Sequence, residues 1–138
     1  MPTKLFFELS EEKQGQIISV GINEFAAYGY TNSSTNRIVK SCGISKGSLF
    51  KYFLNKEKLY FFILDTVTAE LVESFEKRTA DFSPELFQRI MEYSVLEFTW
   101  YIHNPEKAKL VISAFTKNDT AIYRKTEERY GGKELDLY

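Results

Sequence analysis

Apolar residues recur at helical spacing along most of this chain. Ile18, Ile22, Phe25 and Ala26 form one stripe, with Ile17 and Gly21 beside it. Ser10 stands before the stripe as an N-cap, and Glu11 and Glu12 fall in the first turn, where the helix dipole favours acids. Gly29 reads as the C-terminal stop, and Tyr30 to Ser33 read as a turn. A short helix follows from Ser34 to Ser41, with Ile38, Val39 and Cys42 pointing inward. Gly43 ends it, with the positive φ that only glycine adopts cheaply. A second short helix spans Ser45 to Phe53, capped by Ser45. After a break at Leu54-Asn55, Asn55 caps a long helix that carries Leu59, Ile63, Val67, Leu71 and Phe75 at strict i, i+4 spacing.

Further along, Ser83 reads as a cap and Pro84 as the first helical residue. Phe87, Ile90, Met91, Ser94, Val95, Phe98, Tyr101 and Ile102 trace a broad face expected to point inward. Asn104-Pro105 repeats the cap-and-proline signal. It leads into a helix to Lys117 with Val111, Ala114 and Phe115 inward. Asn118-Asp119 reads as the cap of a last helix to about Tyr130, stopped by Gly131-Gly132. No stretch alternates with the period of a strand. The expected fold class is all-α, with about seven helices.

Charge changes this picture locally. The chain of 138 residues has a net charge of −1, which by itself argues against nucleic acid. Between Ser34 and Lys58, however, Arg37, Lys40, Lys46, Lys51, Lys56 and Lys58 face a single acid, Glu57. A basic island on an acidic body is the electrostatic footprint of a local DNA contact. The single cysteine excludes an intrachain disulfide and a cysteine-based zinc site, and fits a reducing compartment. The longest apolar run, Leu59 to Leu64, is too short to span a bilayer. The opening residues lack the pattern of a signal peptide, which leaves the cytoplasm as the expected location. No phosphate loop, nucleophile elbow or metal-ligand cluster is present, so no enzyme and no cofactor are expected.

The island coincides with two short helices joined by a turn containing Gly43, the helix-turn-helix pattern. The second helix has hydroxyls and lysines on one face and Leu49 and Phe53 on the other. A helix lying in a DNA major groove needs both: polar side chains for phosphates and base edges, apolar ones for its own core.

Several motifs in register carry a family resemblance over roughly residues 11 to 70. They are Phe25, Gly29-Tyr30, Ser33-Ser34, Ile38, the run from Gly43 to Phe53, and Asn55 to Leu59. Together they resemble the TetR family of bacterial transcriptional regulators (TetR/AcrR type). The resemblance implies an N-terminal arm over residues 1–10 and a DNA-binding head over 11–58, with its helix-turn-helix at about 34–53. A linking helix and part of a helical ligand-binding and dimerising body would occupy 59–138. It also implies a cytoplasmic, nucleoid-associated homodimeric repressor that sits on a palindromic operator and is released by a small-molecule inducer.

Residue by residue, the resemblance makes Ser45 to Phe53 the recognition helix. Ser45, Lys46, Gly47 and Ser48 match its groove-facing start, and Lys51 matches a position that commonly reads bases. Tyr52 and Lys56 match phosphate contacts. Phe50 stands where the family often has Tyr, so one hydroxyl is missing. Ser34, Thr35 and Arg37 belong to the preceding helix, whose start usually touches the backbone. Val39 and Gly21 each stand where the family typically has Ala. The family is usually longer than this chain, and its last two helices, which commonly form the dimer interface, have no counterpart here.

The body is rich in aromatic residues, and Phe87, Met91, Phe98, Trp100, Tyr101 and Phe115 are the candidates for lining an effector pocket. Aromatic residues at helical spacing equally well form an ordinary core. His103 reads as a structural residue at a helix end and Cys42 as a buried, inert thiol. The competing functional reading is a truncated helical ligand-binding or protein-interaction bundle that does not bind an operator.

Overall fold

The computed structural model describes residues 2–131. It is all-helical, with eight helices among the described residues: α1 Lys4–Phe7, α2 Glu11–Asn32, α3 Thr35–Cys42, α4 Lys46–Tyr52, α5 Lys56–Thr79, α6 Leu86–His103, α7 Pro105–Phe115 and α8 Ala121–Tyr130. The side-chain oxygens of Ser10, Ser34, Ser45 and Asn55 each accept a backbone N–H from the first turn of α2, α3, α4 and α5 respectively. Four helix starts are thus set by local chemistry that the sequence displays.

The head is built around the start of α5. Leu59, Ile63, Leu64 and Val67 meet Ile17 and Phe25 from α2, Ile38 from α3 and Leu49 from α4 in one buried cluster. Gly21 makes the crossing of α2 and α5 close, because Ile63 Cδ1 occupies the space a Cβ at position 21 would take. Here glycine exchanges helix propensity for a tight interhelical contact. Gly43 adopts φ 65° and ψ 31°, and the N–H groups of Gly43 and Ile44 close back onto Lys40 and Val39. That left-handed cap turns the chain from α3 into α4. Val39, half-buried, packs against the core beside this turn.

Several expectations are corrected. Gly29 takes the non-helical φ 69° and ψ −178° and breaks the helix where a stop was expected, but the chain resumes a short helical stretch beyond it, to Asn32, where a turn was expected. Helix α6 starts at Leu86, and Glu85 rather than Ser83 caps it, its carboxylate accepting the N–H groups of Phe87 and Gln88. Thr120 rather than Asn118-Asp119 caps α8, with Asn118 Oδ1 accepting the Thr120 N–H. Of the Gly131-Gly132 stop, Gly132 lies outside the described residues. The arm holds a helix that periodicity did not reveal, since α1 has only four residues.

The largest correction concerns α6. Its buried residues are Leu96 and Trp100, whereas Phe87, Ile90, Met91, Val95, Phe98 and Ile102 are exposed. The helix is apolar on two faces, and periodicity alone does not say which one meets α5 and α7. In the body, α7 packs along α2, and α8 packs on α7 and bonds to α5 through its side chains. Ion pairs reinforce the docking on α5: Lys107 with Glu70 at 2.6 Å, Lys125 with Glu57 at 2.5 Å, and Arg129 with Asp65. These pairs are largely exposed, so apolar burial contributes most of the attachment.

Candidate nucleic-acid interface

Helix α4 is held from its buried side and at both ends. Leu49 and Phe53 are each 1% exposed and anchor it in the head core. At its start, Ser45 Oγ accepts the Ser48 N–H at 3.0 Å while donating to Ser48 Oγ at 2.9 Å. This leaves the Ser48 hydroxyl proton for another acceptor. At its end, the arm folds over the last turn. The Thr3 N–H donates to the Tyr52 carbonyl at 2.8 Å, and the Thr3 hydroxyl donates to the Lys51 carbonyl at 2.5 Å. Phe6, fully buried, stacks edge-on with Tyr52 and packs on Phe53 and Phe62. A seven-residue helix would fray alone; these clasps satisfy carbonyls that its C-terminus leaves open.

The opposite face of α4 is open to solvent. Lys46, Gly47 and Lys51 are exposed, and Ser48 is half-exposed beside them. Gly47 has no side chain, and even a Cβ there would meet nothing closer than Ser45 Oγ at 3.9 Å. Lys46 Nζ rests 5.9 Å from the Phe50 ring. Phe50 and Tyr52 are half-buried at the rim. The face therefore offers two ammonium groups, a hydroxyl and approachable backbone, the donor set that phosphate and base edges require.

The other candidates are placed differently. Ser34 spends its hydroxyl on capping α3, and Thr35, half-buried, opens that helix. Arg37 is held in an ion pair. Its Nε and Nη2 reach the carboxylate of Glu24 at 2.8 to 3.1 Å, Nη2 also donates to the Asn32 carbonyl at 2.9 Å, and the guanidinium lies 4.0 Å from the Tyr28 ring centre. Lys56 Nζ is bound to the carbonyls of Tyr30 at 2.7 Å and Ser33 at 3.2 Å. Lys13 Nζ donates to the Cys42 carbonyl at 3.0 Å, closing the end of α3. Glu24, Lys13 and Thr3 were absent from the sequence-based set. Their partners lie 10 to 48 positions away, beyond the reach of any local pattern. Cys42 is buried, and burial pushes its thiol pKa up, which keeps it unreactive.

In the body, Trp100 is buried against Tyr101, and Phe115 packs on Tyr130 with ring centres 5.3 Å apart. Phe87 and Phe98 are exposed. Met91 lines an open groove of about 400 Å³ with Phe82, Val95 and Leu96. A smaller cavity of about 200 Å³ lies where the Gly29 kink meets Tyr60, Ser113 and Thr126. Burial pushes the Tyr60 phenol up to about 12, so it remains a neutral hydrogen-bonding group there. No group of His, Cys, Asp or Glu among the described residues could hold a metal ion, and no helix among them is long and apolar enough to cross a membrane.

Comparison with known proteins places this head. Residues 17–61 match the family model for bacterial regulatory proteins of the tetR family. An uncharacterised HTH-type transcriptional regulator of Bacillus subtilis strain 168, YuxN, is 40% identical over 55 residues, which are 40% of this chain and 19% of that protein. The crystal structure of a TetR family transcriptional regulator from Chloroflexus aurantiacus J-10-fl superposes with a TM-score of 0.82 at 27% identity, covering 95% of this chain and 61% of that one. The fold is shared with the Bacillus subtilis regulator FadR in complex with stearoyl-CoA (TM-score 0.66, 19% identity, 83% of this chain and 61% of that one). The chain thus spans less than two thirds of the length of these relatives. Residues 17–61 thus match the DNA-binding head of the tetR family of bacterial regulatory proteins, and the helices around them superpose on a solved TetR family regulator.

Proposed function

We propose that this chain is a DNA-binding transcriptional regulator, not an enzyme, and acts as a ligand-responsive repressor. The single observation that carries this reading is helix α4: clasped at both ends and buried on one face, it presents Lys46, Gly47, Ser48 and Lys51 on the other. Lys51 reads bases, Lys46 and Ser48 bind phosphate and groove edges, and Tyr52 supports the phosphate contacts from the rim. Two copies bind a palindromic operator, since one seven-residue helix makes too few contacts for operator affinity. The family match of the head supports the DNA partner, and DNA as partner implies a cytoplasmic, nucleoid-associated location.

A small-molecule effector acts through the body. The likeness to an acyl-CoA-bound regulator supports an effector of some kind, with Phe87, Met91, Phe98, Trp100, Tyr101 and Phe115 as the residues to probe. No cofactor is required.

A second reading, a helical ligand-binding or interaction bundle without operator binding, draws on the pairing of Arg37 with Glu24 and of Lys56 with the Tyr30 carbonyl, which occupies two cations of the basic island. Fluorescence anisotropy on a duplex decides between them. Under the first reading, affinity falls as salt rises, and the Lys46→Ala, Lys51→Ala double variant loses about 0.9 of the log–log salt slope for each phosphate contact removed. Absence of duplex binding at low salt favours the second.

A further inference from the structure

Glu24 is 8% exposed, flanked on α2 by the buried Ile22, Phe25 and Ala26. A carboxylate in that place needs compensation. It receives the Ser34 backbone N–H at 2.8 Å and the Arg37 guanidinium by a fork through Nε and Nη2. Arg37 is completed by the Asn32 carbonyl and the face of Tyr28. Arg37 stands on the first turn of α3, within the basic island; its side chain is 46% exposed, but its guanidinium is held in the Glu24 pair. Moving it onto a phosphate would strand the Glu24 carboxylate, buried and unpaired, which is a heavier loss than one surface phosphate contact returns.

We propose that Glu24 is a positioning residue that lowers overall affinity for DNA: it holds the Arg37 guanidinium in an ion pair and withholds its charge from the DNA backbone. This rests on reading α3 and α4 as a DNA-binding head. Non-specific affinity is carried by phosphate neutralisation, whereas base readout is not. Internal neutralisation of one arginine therefore lowers binding to every duplex equally and leaves discrimination to Lys51 and its neighbours. The same pairing fixes the start of α3 through the Ser34 N–H, so geometry and charge are controlled by one carboxylate.

The test is the salt dependence of binding to a labelled random-sequence duplex, measured by anisotropy for the wild type, Arg37→Ala, Glu24→Gln, Glu24→Asp and the Glu24→Gln, Arg37→Ala double variant. Arg37→Ala and Glu24→Asp are expected to keep the wild-type slope. Glu24→Gln is expected to steepen it by about 0.9, equivalent to an extra loss of about 3.5-fold between 50 and 200 mM salt, and the double variant to return to the wild-type slope. Loss of about 0.9 of the slope in Arg37→Ala would overturn the proposal, because Arg37 would then already be on a phosphate. An unchanged slope in folded Glu24→Gln would overturn it as well. Should Glu24→Gln fail to fold, as judged by circular dichroism, Arg37→Ala decides alone: an unchanged slope supports the proposal and a flattened one ends it. Failure of the wild type to bind any duplex is a different outcome, since it removes the DNA-binding reading itself.

Discussion

Lys56 Nζ donates to the Tyr30 carbonyl at 2.7 Å, with its ammonium 4.5 Å from the Tyr30 ring centre. This bond joins the first turn of the long helix α5 to the tail that α2 forms after the Gly29 kink. A helix C-terminus carries carbonyls without intrahelical partners and a partial negative charge, and a cation there satisfies both. The Ser33 carbonyl, at 3.2 Å, brings the launch point of α3 into the same clasp. Lys56→Met keeps the apolar stem and deletes the ammonium. It should cost about 1–3 kcal/mol, the range for hydrogen bonds to charged groups. Lys58→Met, two positions on and exposed, should change stability by less than about 0.5 kcal/mol. Urea unfolding followed by circular dichroism compares the two, and equal effects would mean that Lys56 is no strut.

The turn between α3 and α4 depends on backbone conformation rather than space. A Cβ on Gly43 would meet nothing within 4 Å, but its φ of 65° lies in the left-handed region. Gly43→Ala should therefore destabilise the head by about 1–2 kcal/mol, the cost of that region for an ordinary residue. Gly43→Asn should lose less, because asparagine tolerates the region. Thermal melts of the three proteins rank them, and an order with Ala above Asn would refute the assignment.

Gly21 and Ile63 form a size-matched pair. Alanine at position 21 gains helix propensity but drives its methyl into Ile63 Cδ1. The single variant Gly21→Ala should lose stability, since Ile63 is fully buried and has little room to turn. Combining it with Ile63→Val, which removes the overlapping methyl, should recover part of that loss, a coupling of about 0.5–3 kcal/mol in a double-mutant cycle. Strict additivity of the two changes would show that they do not touch.

The arm is part of the head. Phe6 is fully buried against Tyr52, Phe53 and Phe62. Phe6→Ala should cost about 3–5 kcal/mol, as for other buried phenylalanines. Hydrogen exchange should show the larger part of the loss in α4, whose last carbonyls Thr3 caps. Unaltered protection of α4 amides in this variant would mean that the helix stands without its clasp.

Much of the head was legible in the sequence because its signals are local. Ser10, Ser34, Ser45 and Asn55 act within one helical turn of themselves, and Gly43 declares its own conformation. What stayed hidden was tertiary. Gly29 breaks the helix as its residue type suggests, yet a further helical stretch follows it to Asn32. The row from Phe87 to Ile102 on α6 has the spacing of a core face, while Leu96 and Trp100 on the other side are the ones buried. Arg37 and Lys56 carry charges that suit DNA, but Glu24 and the Tyr30 carbonyl, which engage them, are separated from them by 13 and 26 positions. Sequence spacing identified which helix presents a polar face; it did not identify which cations are already paired.

Selection of bound duplexes from a random DNA pool at near-physiological salt is the most direct test of the central claim. The account predicts enrichment of a palindrome with half-sites about one helical turn apart, and a shift of the enriched bases when the selection is repeated with Lys51→Ala. Recovery of DNA with no enriched sequence, or of no DNA, would contradict it.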